Sequence, residues 1–137
     1  MNFKFFEMVE RERKGVPVAE FVDAIQKIGL SKSRAAQIFK IPKSKLALKT
    51  SDHALLTRTE ALAAIRLEKL CSMANALKST SLHCDVKNFD SGRWLGTWIE
   101  IPQPALAGFK PSELLDTEAG AARVYQVLGA LESDVYL

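Results

Sequence analysis

The sequence predicts an all-α protein, and three observations carry that expectation. Apolar residues recur at three- and four-residue steps in three separate stretches, within Val18–Ile28, Leu62–Leu77 and Ala119–Leu131. Residues that cap or stop helices stand at the ends of such stretches: Gly29, Ser31, Thr57 and Thr117. Prolines 42, 102, 104 and 111 fall where they break a helix or begin one. With 47% apolar and 26% charged residues in 137, the chain has material for a real core, as one ordinary domain or two small units sharing it.

In chain order, Phe3 to Lys14 predicts a first helix with Phe3, Phe6, Met8 and Val9 as apolar contacts and a solvated Glu-Arg-Glu-Arg run. A second reads from Pro17 to Ile28, burying Val18, Phe21, Val22, Ile25 and Ile28, with Gly29 as its stop. Ser31 caps Lys32–Phe39, which buries Ala35, Ala36, Ile38 and Phe39. Lys40-Ile41-Pro42 breaks that helix, and another follows from Lys43 to about Lys49. The longest pattern starts at Thr57 or Thr59, where Thr57-Arg58-Thr59-Glu60 reads as a capping box. It continues through Leu62, Ile65, Leu67, Leu70, Met73, Ala74 and Leu77 as a central pillar, with Arg58, Arg66, Glu68 and Lys69 outside.

Lys78–Asp90 is polar and holds the expected boundary, Ser91-Gly92 reads as a turn, and Phe89 and Trp94 anchor the segment onto the second half. Residues 1–77, 78–93 and 94–137 are thus read as a first unit, a linker and a second unit. From Trp98 the signals are dense. Pro102 and Pro104 exclude a continuous helix, Ala105-Leu106-Ala107 forms one turn closed by Gly108, and Pro111 opens a short helix, Ser112–Leu115. Asp116 or Thr117 caps the final helix, whose apolar positions are Ala119, Ala122, Val124, Val127, Leu128 and Leu131. Gly120 lies in its first turn, where glycine costs about 1 kcal/mol against alanine, so a close backbone contact is expected there.

Charge divides the chain. Residues 1–77 carry 14 Lys and Arg against 8 Asp and Glu, and residues 78–137 carry 5 against 8. Lys27–Lys49 holds seven basic residues and no acidic one, the footprint of a phosphate-binding face. The stripe lies on two short helices joined by a tight turn, a helix-turn-helix, although Lys40 stands at the turn position usually held by glycine. On this reading Lys43, Ser44, Lys45, Ala47 and Lys49 face DNA. Lys32 and Arg34 meet backbone phosphate beside the positive end of their helix dipole.

Catalytic readings fail. Two histidines and two cysteines give no set at metal-ligand spacing, so neither a metal nor a cofactor is expected. Gly92, Gly96 and Gly108 are isolated and make no phosphate loop. Acidity at a cap and first turn explains Glu113, Asp116 and Glu118. No apolar run spans a membrane, no signal peptide is legible, and two cysteines are too few for a disulfide framework, so a non-enzymatic cytoplasmic protein is expected.

The string W..IP.PAL.G..P.ELLDTE.GA..V...LG.LE, covering the chain from about Trp94, resembles the C-terminal domain of the Xre/MbcA/ParS antitoxin family. Trp98, Pro102, Leu106, Gly108, Pro111, Leu115, Asp116, Thr117, Gly120 and Val124 fall on its pattern. The long central helix is similar to the one that links the two parts of such proteins. The resemblance implies a type II antitoxin whose first unit dimerises and binds operator DNA as an autorepressor. Its second unit would hold a cognate toxin, of the NAD-consuming RES type or a related ADP-ribosyl transferase, in a toxin–antitoxin hetero-oligomer. The expected toxin contacts are Lys110, Arg123, Glu132, Asp134, Val135, Tyr136 and Leu137. Glu132, Asp134 and the carboxylate of Leu137 would mimic phosphates in a basic dinucleotide pocket. In the tail Asp134 replaces the family's glycine and Leu137 its alanine, so the resemblance does not carry over the tail's backbone path. The alternative is a stand-alone helix-turn-helix regulator whose second half only dimerises or senses a ligand.

Overall fold

The computed structural model describes residues 3–48, 53–80 and 90–132. Its elements run α1 (Phe3–Lys14), β1 (Val16–Pro17), α2 (Val18–Lys27), α3 (Lys32–Phe39), α4 (Lys43–Leu46), β2 (Leu55–Leu56), α5 (Thr59–Thr80), α6 (Ser91–Trp98), 3₁₀ turns at Pro104–Leu106 and Pro111–Glu113, and α7 (Glu118–Glu132). Among the described residues the fold is all-α apart from one two-residue antiparallel ladder, Val16 opposite Leu56 and Pro17 opposite Leu55. Two residues are too few to show an alternating pattern, so the ladder left no mark in the sequence.

Helix α5 is the pillar. α1, α2, α6 and α7 all contact it, and a continuous core runs from Val16 to Leu128. A helix surrounded this way is buried on more than one face, and small side chains let neighbours approach from several directions. Ala61, Ala63 and Ala64 are therefore buried with Ile65, Leu67 and Leu70, while Leu62 is only half-buried.

Local chemistry explains the helix ends. The Ser31 hydroxyl accepts from the Arg34 amide at 3.0 Å, and the Thr117 hydroxyl accepts from the Gly120 amide at 3.0 Å. Asp90 caps α6 through the Arg93 amide at 3.1 Å. Lys40 closes α3 in the left-handed conformation (φ 57°), which glycine adopts without steric cost.

Several expectations are corrected. α2 starts at Val18, with the extended Pro17 outside it. α4 ends at Leu46, because the Ala47 and Leu48 amides turn back onto Lys43 and Lys45 and tighten the last turn. Of the two starts expected for α5 it takes Thr59 and not Thr57, since Arg58 interposes at φ 52°, and the capping box does not form because the Glu60 carboxylate goes to Lys45. Ser91 and Gly92 open α6 and are not a turn, and α5 continues to Thr80, so both ends of the expected linker are helical. The short helix expected at Ser112–Leu115 is a 3₁₀ turn at Pro111–Glu113. In α7 the buried stripe is Ala121, Val124, Val127 and Leu128, with Ala119 and Ala122 exposed. On α1, Phe6 and Met8 are exposed, and Arg11 is drawn to Glu68 of α5 rather than left in solvent. Phe89, His83 and Cys84 lie outside the described residues.

Candidate functional site

Two surfaces hold the residues singled out above. The first is the basic face of α3 and α4. Lys32, Lys43, Ser44 and Ala47 are exposed there, as is Lys40 in the turn between the helices. Ala35, Ile38, Phe39, Ile41 and Leu46 are buried beneath, and Phe21 of α2 meets Phe39 edge-on at 5.5 Å between ring centroids. The order α3, turn, α4 is thus held over a packed floor, although α4 is a single turn. Lys49 lies outside the described residues.

Two cations assigned to this face have protein partners. Lys45 pairs with Glu60 of α5. Arg34 makes a two-pronged bond to Glu100, Nε to Oε2 and Nη2 to Oε1, each at 2.9 Å. It also donates to Gln37 at 3.2 Å and to Ser112 at 3.4 Å. Ser112 is the one buried polar residue found among the described residues, and its amide donates to the Ile99 carbonyl at 2.8 Å. Arg34 therefore fastens α3 to the second unit.

The hydrogen bond from Arg34 holds the Glu100 carboxyl below the usual carboxylate range, against the upward push of burial. The pair's contribution is therefore complete above an ordinary carboxylate pKa and is lost on acidification through the lowered one. With about a third of each side chain exposed (36% and 34%), it contributes about 0.5–1 kcal/mol. Sequence reasoning could not find this pair, because its members lie 66 residues apart.

Beside the bridge, α6 crosses the C-terminal end of α2. A Cβ on Gly96 would lie 1.9 Å from the Ile28 carbonyl oxygen, and one on Gly92 2.5 Å from that of Lys27. These glycines, four apart on one helix face, allow a backbone contact that joins the two halves.

The second surface is built on α6, the two 3₁₀ turns and α7. Trp94 and Trp98 stack at 5.8 Å, and Leu95, Trp98, Ile99, Leu106, Leu115, Val124 and Leu128 are buried. Gly120 makes the expected close contact: a Cβ there would lie 2.1 Å from the Leu114 carbonyl. Arg123 donates to the Ala105 carbonyl at 3.3 Å and to Gln126 at 2.8 Å, and the Lys110 amide donates to Glu113 at 3.0 Å. Tyr125 lies under the Lys69 ammonium, 4.4 Å from its ring centre. Glu132 ends α7 with its side chain outside the description, and Asp134, Val135, Tyr136 and Leu137 lie outside the described residues.

Among the described residues no group of His, Cys, Asp and Glu could hold a metal, and no helix is long and apolar enough to cross a membrane. Burial pushes the Cys71 thiol up, away from thiolate reactivity at neutral pH.

A basic helical face is thus joined through Arg34–Glu100 to a second helical unit. Residues 88–133 match the antitoxin Xre/MbcA/ParS C-terminal toxin-binding domain. Over 124 residues the chain is 25% identical to the "Prs ADP-ribosylating antitoxin" of Sphingobium sp. (strain YBL2), an alignment covering 90% of this chain and 77% of that protein. Together these two likenesses support the Xre/MbcA/ParS antitoxin family of toxin–antitoxin systems.

Proposed function

We propose that the chain is a type II antitoxin that binds its toxin through the unit around α6 and α7 and represses its own operon through α3 and α4. The observation that carries this reading is the coincidence of residues 88–133, matched as a toxin-binding domain, with the helical unit clamped onto α5. The domain division follows: residues 1–77 bind operator and dimerise, 78–93 connect, and 94–137 hold the toxin. The toxin is an NAD-consuming enzyme of the RES type or an ADP-ribosyl transferase. The name of the Sphingobium relative supports the second chemistry. Inhibition is steric, with Glu132, Asp134, Val135, Tyr136 and Leu137 entering the toxin's dinucleotide pocket. The antitoxin acts by binding and not by catalysis.

On the DNA side, Lys32, Lys43, Ser44 and Lys49 supply the contacts. Arg34 and Lys45, paired with Glu100 and Glu60, hold the scaffold. This reading is tested by co-expressing the full chain with the protein encoded beside it. A stable complex on purification is expected. Its consistent absence, with both proteins folded, would overturn the assignment.

A further inference from the structure

The segment between α6 and the second 3₁₀ turn is closed by its own hydrogen bonds. The Gln103 carbonyl accepts from the amides of Leu106 (2.9 Å) and Gly108 (3.0 Å), and the Gln103 amide donates to Phe109 O at 3.1 Å. The Phe109 amide returns to Leu106 O at 3.0 Å, and the Gln103 side chain donates to Ile101 O at 3.0 Å. Leu106 is buried and pins the loop to α7, while Ala107 (φ 57°) and Gly108 (φ 86°) reverse the chain in left-handed conformations.

This fixed loop nevertheless holds Ile101 at 47% and Phe109 at 50% exposure. They are the two large exposed hydrophobics of the second unit among the described residues. A well-bonded loop that presents an aromatic and a branched aliphatic side chain has the makings of a binding anchor. Little freedom is left to lose on association, and aromatic anchors dominate interface energies.

Local charge gives the partner's character. Lys110 is the one charged residue between Ile101 and Lys110, and the Arg123 guanidinium lies against the loop at Ala105. The loop is thus an apolar patch with a cationic edge, set in a half of the chain that is net acidic. The residues matched to a toxin-binding domain include all of it.

We infer that Ile101 and Phe109 are the affinity anchor for the toxin, seating in an apolar recess whose rim carries carboxylates that meet Lys110 and Arg123. The inference rests on the antitoxin reading and deepens it. It separates affinity, held by this loop, from inhibition, assigned to the residues after Leu131.

The test uses the full chain and the protein encoded beside it as the probe. Phe109→Asp, and separately the double variant Ile101→Ser/Phe109→Ser, are expected to weaken the complex by about 30-fold or more. Phe109→Leu should retain most of the affinity. Because both side chains are half exposed, thermal stability should stay near wild type. Lys110→Glu with Arg123→Glu gives a second reading of the same surface, with a loss that shrinks as salt is raised. Wild type binding the toxin while the folded variants bind it equally well would overturn this inference alone. A change in the chain's own oligomeric state with toxin affinity intact would overturn it too, by making the patch a self-association surface. Failure of wild type to bind would remove the antitoxin reading and this inference with it.

Discussion

Gly96→Ala is expected to destabilise the protein by about 2–3 kcal/mol, lowering the thermal midpoint by roughly 10 °C. Helix propensity alone predicts the opposite sign, since alanine is favoured over glycine by about 1 kcal/mol inside a helix. The clash decides it. The new methyl would lie 1.9 Å from the Ile28 carbonyl oxygen, and that neighbour is backbone at the end of α2, so relief requires α2 and α6 to move apart. Gly129→Ala is the internal control. Its methyl would meet only Met73 Cε at 3.6 Å, an ordinary contact, so stability should rise by up to about 1 kcal/mol. Denaturant or thermal melts of both variants check the pair. An unchanged midpoint for Gly96→Ala would mean that α6 does not press on α2 as described.

On the DNA side, the combined Lys32→Ala and Lys43→Ala variant should weaken binding to an operator fragment by about tenfold or more. The slope of log affinity against log salt should fall by about two, one for each phosphate that a lysine no longer neutralises. Complex formation with the toxin should be unaffected, because neither side chain lies on the second unit. Arg34→Ala should behave differently. Its guanidinium is engaged by Glu100 and Ser112, so the main loss is stability at the joint between the halves. Titrations of labelled DNA at several salt concentrations distinguish the cases. Identical affinity and slope for the lysine variant and wild type would contradict the proposed DNA face.

What the sequence revealed and what it concealed follow from the range of the interactions. α3 was legible because its cap is local: Ser31 bonds an amide three residues on, as Thr117 does for α7. The close contact at Gly120 was legible because a glycine inside an amphipathic pattern requires a reason. Gly92 misled, since Ser-Gly after a polar stretch reads as a turn, and nothing local singled out Gly96. Only the distant carbonyls of Lys27 and Ile28 show why a helix keeps two glycines there. Arg34 read as a phosphate ligand because its pattern of neighbours was basic, and Glu100 arrives from far along the chain. The exposure of Ile101 and Phe109 was hidden for a related reason. Apolar residues near prolines look like core, and their exposure is set by how the loop folds on α7.

The central claim, that this chain restrains an NAD-consuming toxin, is tested most directly by cellular NAD⁺. Cells carrying the toxin gene would be followed with the full chain, with a chain truncated after Leu131, and with neither. The account predicts normal growth and NAD⁺ with the full chain. It predicts collapse of NAD⁺ with the truncated one, although that one still binds the toxin through the Ile101–Lys110 loop. Unchanged NAD⁺ and growth with the toxin gene alone would contradict the account and favour a stand-alone regulator.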